Sequence, residues 1–169
     1  RFQPESNAID GIEIPELADC VATGIHIVRP EALAYHRQWF PRRAGEYGAD
    51  VAQSLALAKD ISKREYAAAR RRRMAISRAM RRALRGVDVL AGPTVPILAF
   101  ENSMAYEAIL PGGELPRHAL TRLTYPFSLS RLPAISVPCG LSRTGLPIGL
   151  QLGAGPGREA LLLAVAGAF

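Results

Sequence analysis

Leu120–Leu152, LTRLTYPFSLSRLPAISVPCGLSRTGLPIGLQL, holds two short runs rich in Ile, Val and Leu that face each other across a loop. Ala134–Pro138 and Ile148–Leu152 read as the arms of a β-hairpin, and Leu141–Pro147 between them supplies Ser, Thr and Gly145 as turn residues. Both arms are continuously apolar rather than alternating, the pattern of strands covered on both faces inside a layered sheet. Such a hairpin cannot stand alone, so the rest of the chain must supply the covering layers.

The strongest helical signal lies upstream. Ser62-Lys63-Arg64-Glu65 has the form of a capping box, and the helix it opens is predicted to run to about Arg85, with Gly86 as a left-handed stop. At ~100° per residue, Tyr66, Ala69, Ile76, Met80, Ala83 and Leu84 share one face and Arg70, Arg71, Arg78, Arg81, Arg82 and Arg85 another. This is an amphipathic helix with a basic solvent side. Arg73 alone falls inside the apolar face. A guanidinium there needs a partner, because an unpaired buried charge is costly. One reading is an internal ion pair or a capped carbonyl; the other is a pocket-lining binder of an anion or carbonyl.

Around that helix, Gly11–Pro15 reads as a short strand leading into a helix begun at Pro15, with Glu16 and Asp19 in its first turn. A second helix is predicted from about Pro30 to Phe40, and a short one over Asp50–Lys59 with Asp50 as N-cap. Val87–Ala91 reads as a buried strand giving way at Gly92-Pro93-Thr94-Val95-Pro96 to a stiff, extended loop. Phe100–Arg117 reads as a surface loop and Arg158–Phe169 as a closing helix. Helices interleaved with short strands make an α/β chain.

The 169 residues suffice for one domain or part of a larger one. Because the sequence opens at Arg1 with no Met and no signal-peptide pattern, an upstream portion is expected. No apolar run approaches the ~20 residues that span a bilayer, so no membrane partner is expected. The net charge of +6 permits anionic partners. However, the Arg face carries no interleaved aromatics and no nucleic-acid-reading module, so it reads as solvated. Cys20 and Cys139 are too few for a disulfide framework, which suits a reducing, cytoplasmic setting. Both read most simply as small buried apolar residues; a nucleophilic Cys139 paired with His26, His36 or His118 has no local signature behind it.

No Gly-x-Ser-x-Gly elbow, lysine-bearing phosphate loop or dinucleotide glycine spacing occurs. No His, Cys or carboxylate pair has metal-ligand spacing. Lys59 and Lys63 sit at a helix junction and read as solvated. On residues alone, no catalytic group, metal or cofactor is assigned.

Read in order, Tyr66-x-x-Ala69-x-x-x-Arg73, Val87-Asp88-Val89-Leu90, Gly92-Pro93-Thr94-Val95-Pro96, Thr124-x-Pro126-Phe127, Leu132-Pro133-Ala134-x-Ser136-x-Pro138-Cys139-Gly140, Gly145-Leu146-Pro147-Ile148-Gly149-Leu150-Gln151-Leu152 and Glu159-x-x-Leu162-Leu163 closely resemble the C-terminal part of the amidase signature family. The resemblance runs from about Gly11 to the end. It implies the C-terminal part of an α/β/α amidase-signature fold with a mixed β-sheet, including the buried β-hairpin and the long amphipathic helix. Residues 1–169 would then be the C-terminal segment of a single amidase domain. It also implies hydrolysis of an amide C–N bond by a Ser–cis-Ser–Lys triad, in which Lys activates the bridging Ser and that Ser activates the nucleophile. Backbone amides of a Gly/Ser-rich loop form the oxyanion hole. That loop and that Lys belong to the family's N-terminal half, so this chain alone is expected to be inactive.

The resemblance makes Arg73, Thr94 and Thr121 the substrate-binding candidates. The family's helix Arg aligns with Arg73 and contacts substrate in glutamine-using members. Members that take glutamine's amide on charged tRNA carry an Asp five residues before the Pro of Thr-x-Pro, where it holds the α-ammonium. Thr121 stands there and offers no charge, which turns the expectation to a neutral or carboxylate-bearing small amide. Ser128 stands where the family usually has Asn, and Ser130-Arg131 where it usually has Thr-Gly. Expected partners are the small amide and the N-terminal portion of the same enzyme, with a homodimer also open and no nucleic acid. The alternative is a non-catalytic binding or assembly module that turns its basic helix face to an anionic partner.

Overall fold

The computed structural model describes residues 11–100 and 116–169. A 3-10 turn at Pro15–Asp19 leads into α1 (Cys20–His36), α2 (Phe40–Arg43), α3 (Ala49–Leu57) and α4 (Lys63–Ala83). Then come β1 (Val89–Pro93), α5 (Pro116–Arg122), α6 (Tyr125–Ser130), β2 (Ala134–Leu141), β3 (Pro147–Ala154) and α7 (Glu159–Ala166). The α/β reading holds.

The capping box forms as its spacing predicts. Ser62 Oγ accepts from the Glu65 amide at 3.2 Å, while the Ser62 amide donates to Glu65 Oε2 at 2.8 Å. From there α4 buries Ala69, Ile76, Ala79 and Met80 and exposes Arg70, Arg71, Arg78, Arg81 and Arg82, with Arg85 exposed just past its end. Against it α1 lays Cys20, Thr23, Gly24 and Ile27, a stripe at helical spacing. Arg72 to Asp19 at 3.3 Å and Arg82 to Glu16 at 2.6 Å join α4 to the first turn; exposed as they are, such pairs add ~1 kcal/mol at most.

Several local expectations are corrected. Residues 11–14 form no strand, and none of the described strands pairs with them. Pro30 starts no second helix: α1 runs through it to His36. The lost hydrogen bond is tolerated because the buried Cys20–Ile27 stripe, already packed on α4, fixes the helix before Pro30 is reached. Asp50 lies in the first turn of α3, whose N-cap is Gly48. Helix α4 ends at Ala83 with Leu84 as C-cap, and Gly86 is not among the glycines with positive φ. Pro93 belongs to β1 rather than to a loop, paired with Leu150. The next amide, Thr94 N, donates to Gly149 O at 2.9 Å; Pro93 therefore turns its nitrogen outward, where an edge strand needs no donor.

Most of the Phe100–Arg117 loop expectation lies outside the described residues, but Pro116 opens α5. Neither α5 nor α6 was anticipated, since 7 and 6 residues are too few to show a helical period. Arg131 ends α6 in the left-handed conformation, φ 57° and ψ 43°. This is a conformation that glycine adopts more readily than arginine.

The described sheet has the order β1-β3-β2, every pairing antiparallel; the mixed order implied by the resemblance is not seen among the described residues. The hairpin arms run in register from Ala134 opposite Gly153 to Leu141 opposite Pro147, broken once between Pro138 and Gly140. Gly140, at φ 149°, absorbs that bulge. In the turn, Ser142 N donates to Leu146 O at 2.8 Å and Gly145 N to Ser142 O at 3.0 Å.

Strand alternation divides two cores. Leu150, Leu152 and Ala154 face α7, packing with Leu162, Val89 and Ile135. On the other face Gly153 lies under the Phe127 ring, and Leu90 joins the core of Cys20, Ile27, Ile76, Met80, Leu129 and Leu132 built by α1, α4 and α6. The layering is helix, sheet, helix. One expectation fails in part: both faces are covered only over the second half of β3, whereas β2 is largely exposed from Pro138 to Leu141.

Candidate substrate site

Gln151 is the hinge of the candidate site. It is 8% exposed on the helical face of β3, and its Nε2 donates to Leu123 O at 2.9 Å. A buried carboxamide needs such a partner, and this one ties the turn between α5 and α6 to the sheet. Thr121, two residues before Leu123, donates from Oγ1 to His118 O at 3.3 Å, and its carbonyl accepts from Thr124 Oγ1 at 3.2 Å.

On the same face, toward the open end of β3, Thr94 Oγ1 meets Ser136 Oγ at 2.5 Å. The meeting happens directly over Gly149, where a Cβ would lie 2.8 Å from Thr94 Oγ1 and 3.0 Å from Ser136 Oγ. Thr94 thus lies beside Gly149, two positions along β3 from Gln151, and Thr121 lies two residues before Leu123, whose carbonyl Gln151 holds.

Arg73 is placed elsewhere. Its Nε donates to Leu129 O at 3.1 Å near the C-terminal end of α6, one turn from Ser77 Oγ, which donates to Ser130 O at 3.4 Å. The capped-carbonyl reading is realised through Nε. The two terminal nitrogens have no partner among the described residues. Sequence reasoning found Arg73 by projection but missed Ser136 and Gln151. Gln151 was detectable as a lone amide in an apolar strand; Ser136 had no signal without the register.

Cys20 is buried, and burial, with Asp19 beside it, pushes its thiol from 9.0 to about 11. Burial likewise raises the Tyr125 phenol, whose ring packs over Gly24. Cys139 corrects the other cysteine expectation: it is exposed, with Sγ donating to Ile148 O at 3.5 Å. His36 Nδ1 is 3.0 Å from Tyr47 Oη, a helix-end clasp. Among the described residues no three His, Cys, Asp or Glu side chains group as metal ligands, and no helix is long and apolar enough to cross a membrane.

Among the described residues, three cavities lie apart from Arg73, Thr94, Thr121 and Gln151, each beside an ion pair. One of about 480 Å³ lies by Arg85, Asp88 and Arg158, where Arg158 is 3.0 Å from Asp88. One of about 310 Å³ lies by Trp39 and the Arg43–Glu46 pair, and one of about 500 Å³ by Glu16 and its partner Arg82. None is lined by Arg73, Thr94 or Thr121.

Comparison with known proteins gives the family. The amidase family profile matches residues 16–163. An amidase of Pseudomonas putida is 32% identical over 137 residues, covering 80% of this chain and 29% of that protein. A fatty acid amide hydrolase of Oryza sativa subsp. indica is 34% identical over 164 residues, covering 95% and 27%. A crystal structure of an amidase superposes with a TM-score of 0.83 at 29% identity, covering 92% of this chain and 36% of that one. The chain spans about a third of the length of the curated relatives it matches. With the family profile matching residues 16–163 and a solved amidase superposing over 92% of its length, the chain belongs to the amidase family.

Proposed function

We propose that these residues are the C-terminal, substrate-facing segment of a single amidase domain, part of an enzyme that hydrolyses the C–N bond of a small amide. In this reading a serine outside these residues attacks the amide carbonyl, and the nitrogen leaves as ammonia or amine carrying a proton. Water then releases the acid from the acyl-serine. The bridging serine and lysine of the triad also lie outside these residues, so the chain alone is inactive. Its contribution is to close the sheet and to line the pocket with Thr94, Thr121 and Arg73.

The observation that supports this is the convergence of Thr94, Ser136 and Gln151 from three family motifs on one face of one sheet. Arg73, held by Nε alone, keeps its terminal nitrogens for a carbonyl or carboxylate. Thr121 provides no carboxylate for an ammonium, so the substrate is a neutral or carboxylate-bearing amide. The partners are that amide, the N-terminal portion of the same enzyme and a second copy in a homodimer, with the cytoplasm as location. In the full-length protein, Arg73→Met should raise KM or lower kcat for its amide while the unfolding midpoint moves little. A loss of stability with unchanged kinetics would make Arg73 structural.

A further inference from the structure

The polar pair over Gly149 is built rather than incidental. Thr94 follows β1 and Ser136 lies in β2, two strands that do not pair with each other; both pair with β3. Their hydroxyls meet at 2.5 Å only because β3 carries no side chain at Gly149, where any Cβ would crowd both oxygens. Farther along this face the floor is closed, Gln151 by its bond to Leu123 O and Gly153 by the Phe127 ring. At Gly149 it is open: Ser136 is exposed and Thr94 half-buried.

Two hydroxyls have two donors and four lone pairs. The bond between them uses one donor and one lone pair. Among the described residues each hydroxyl has the other as its partner, so one O–H and three lone pairs stay available on the open side. No charged side chain hydrogen-bonds or ion-pairs with either among the described residues. A pair with one free proton is a poor host for a carboxylate, which wants several donors, and being neutral it does not compensate an ammonium. It suits an uncharged group that both donates and accepts, such as a hydroxyl or a second carboxamide.

We propose that Thr94 and Ser136 form a specificity subsite that selects amides bearing an uncharged hydroxyl or carboxamide near the scissile bond. This rests on the amidase reading above and narrows its substrate to the neutral class.

The test uses the full-length enzyme and two near-isosteric probes, lactamide (2-hydroxypropanamide) and propanamide, with ammonia release as readout. The wild type should prefer lactamide in kcat/KM, and Thr94→Val/Ser136→Ala should lower the lactamide-to-propanamide ratio by about fivefold to tenfold, the loss of a single neutral hydrogen bond. Thr94→Ser, which keeps the hydroxyl, should retain the preference. Should the double variant fold poorly, Ser136→Ala alone should lower the same ratio, a quantity that a change in active fraction does not move. An unchanged ratio with both amides still turned over would overturn the subsite and leave the amidase reading standing. Release of ammonia from neither probe nor from other simple amides would overturn both.

Discussion

Arg73 shows how far one residue can be read from spacing alone. Its place in the apolar face of α4 required a partner, and the Leu129 carbonyl at 3.1 Å is that partner; which carbonyl it would be depended on α6, a helix too short to announce itself. Arg131 is the opposite case, a residue whose role is set by backbone. A non-glycine residue in the left-handed region is strained by roughly 1–2 kcal/mol. Arg131→Gly should therefore stabilise the protein by up to ~1 kcal/mol after the extra flexibility of glycine in the unfolded chain is offset. A raised denaturation midpoint at constant m-value would show it; a fall would mean that the Arg side chain anchors the turn. For Cys20 the sign follows from the raised pKa. The folded thiol stays neutral to about pH 11 while the unfolded one ionises near 9.0, so the stabilisation present below pH 9 is lost as pH rises through that interval. Unfolding free energy should fall between pH 9 and 11 in the wild type and fall less in Cys20→Ala. In native protein a thiol reagent should label exposed Cys139 well before Cys20.

Among elements, the capped helix α4 and the β2–β3 hairpin were legible because each carries its own punctuation: Ser62 and Glu65 for one, the Ser142–Leu146 turn for the other. The continuity of α1 through Pro30 was not, because the packing that overrides the proline is tertiary. Nor was the exposure of β2, since an apolar run says that a strand can be covered and not what covers it. Helix α6 joins the sheet by a close contact that admits no side chain at Gly153, where a Cβ would overlap the Phe127 ring. Gly153→Ala should thus destabilise by ~1–3 kcal/mol, as overpacking does. Gly153→Ala/Phe127→Leu should cost less than the sum of the two single changes, because the smaller residue vacates the clash. Simple additivity would mean that the sheet and α6 meet elsewhere.

The molecule as a whole is a three-layer arrangement in which β3 separates the core of α1, α4 and α6 from the core under α7. The reading of β3 as continuously apolar missed the alternation that sets this division, Leu150, Leu152 and Ala154 against Gly149, Gln151 and Gly153, because two glycines leave only Gln151 to mark the second face. The order of motifs carried the family, and the sheet explains why that order matters: it sets Thr94, Ser136 and Gln151 side by side. Because the chain spans about a third of the length of its curated relatives, the proposed division of labour between these residues and a catalytic portion outside them is the central claim. Serine-directed fluorophosphonate labelling of the full-length protein, mapped by peptide mass spectrometry, tests it most directly. The label should fall on one serine outside residues 1–169, and amide hydrolysis should disappear with the same stoichiometry. A label on Ser128, Ser130, Ser136 or any other residue of this chain, again with loss of hydrolysis, would contradict it.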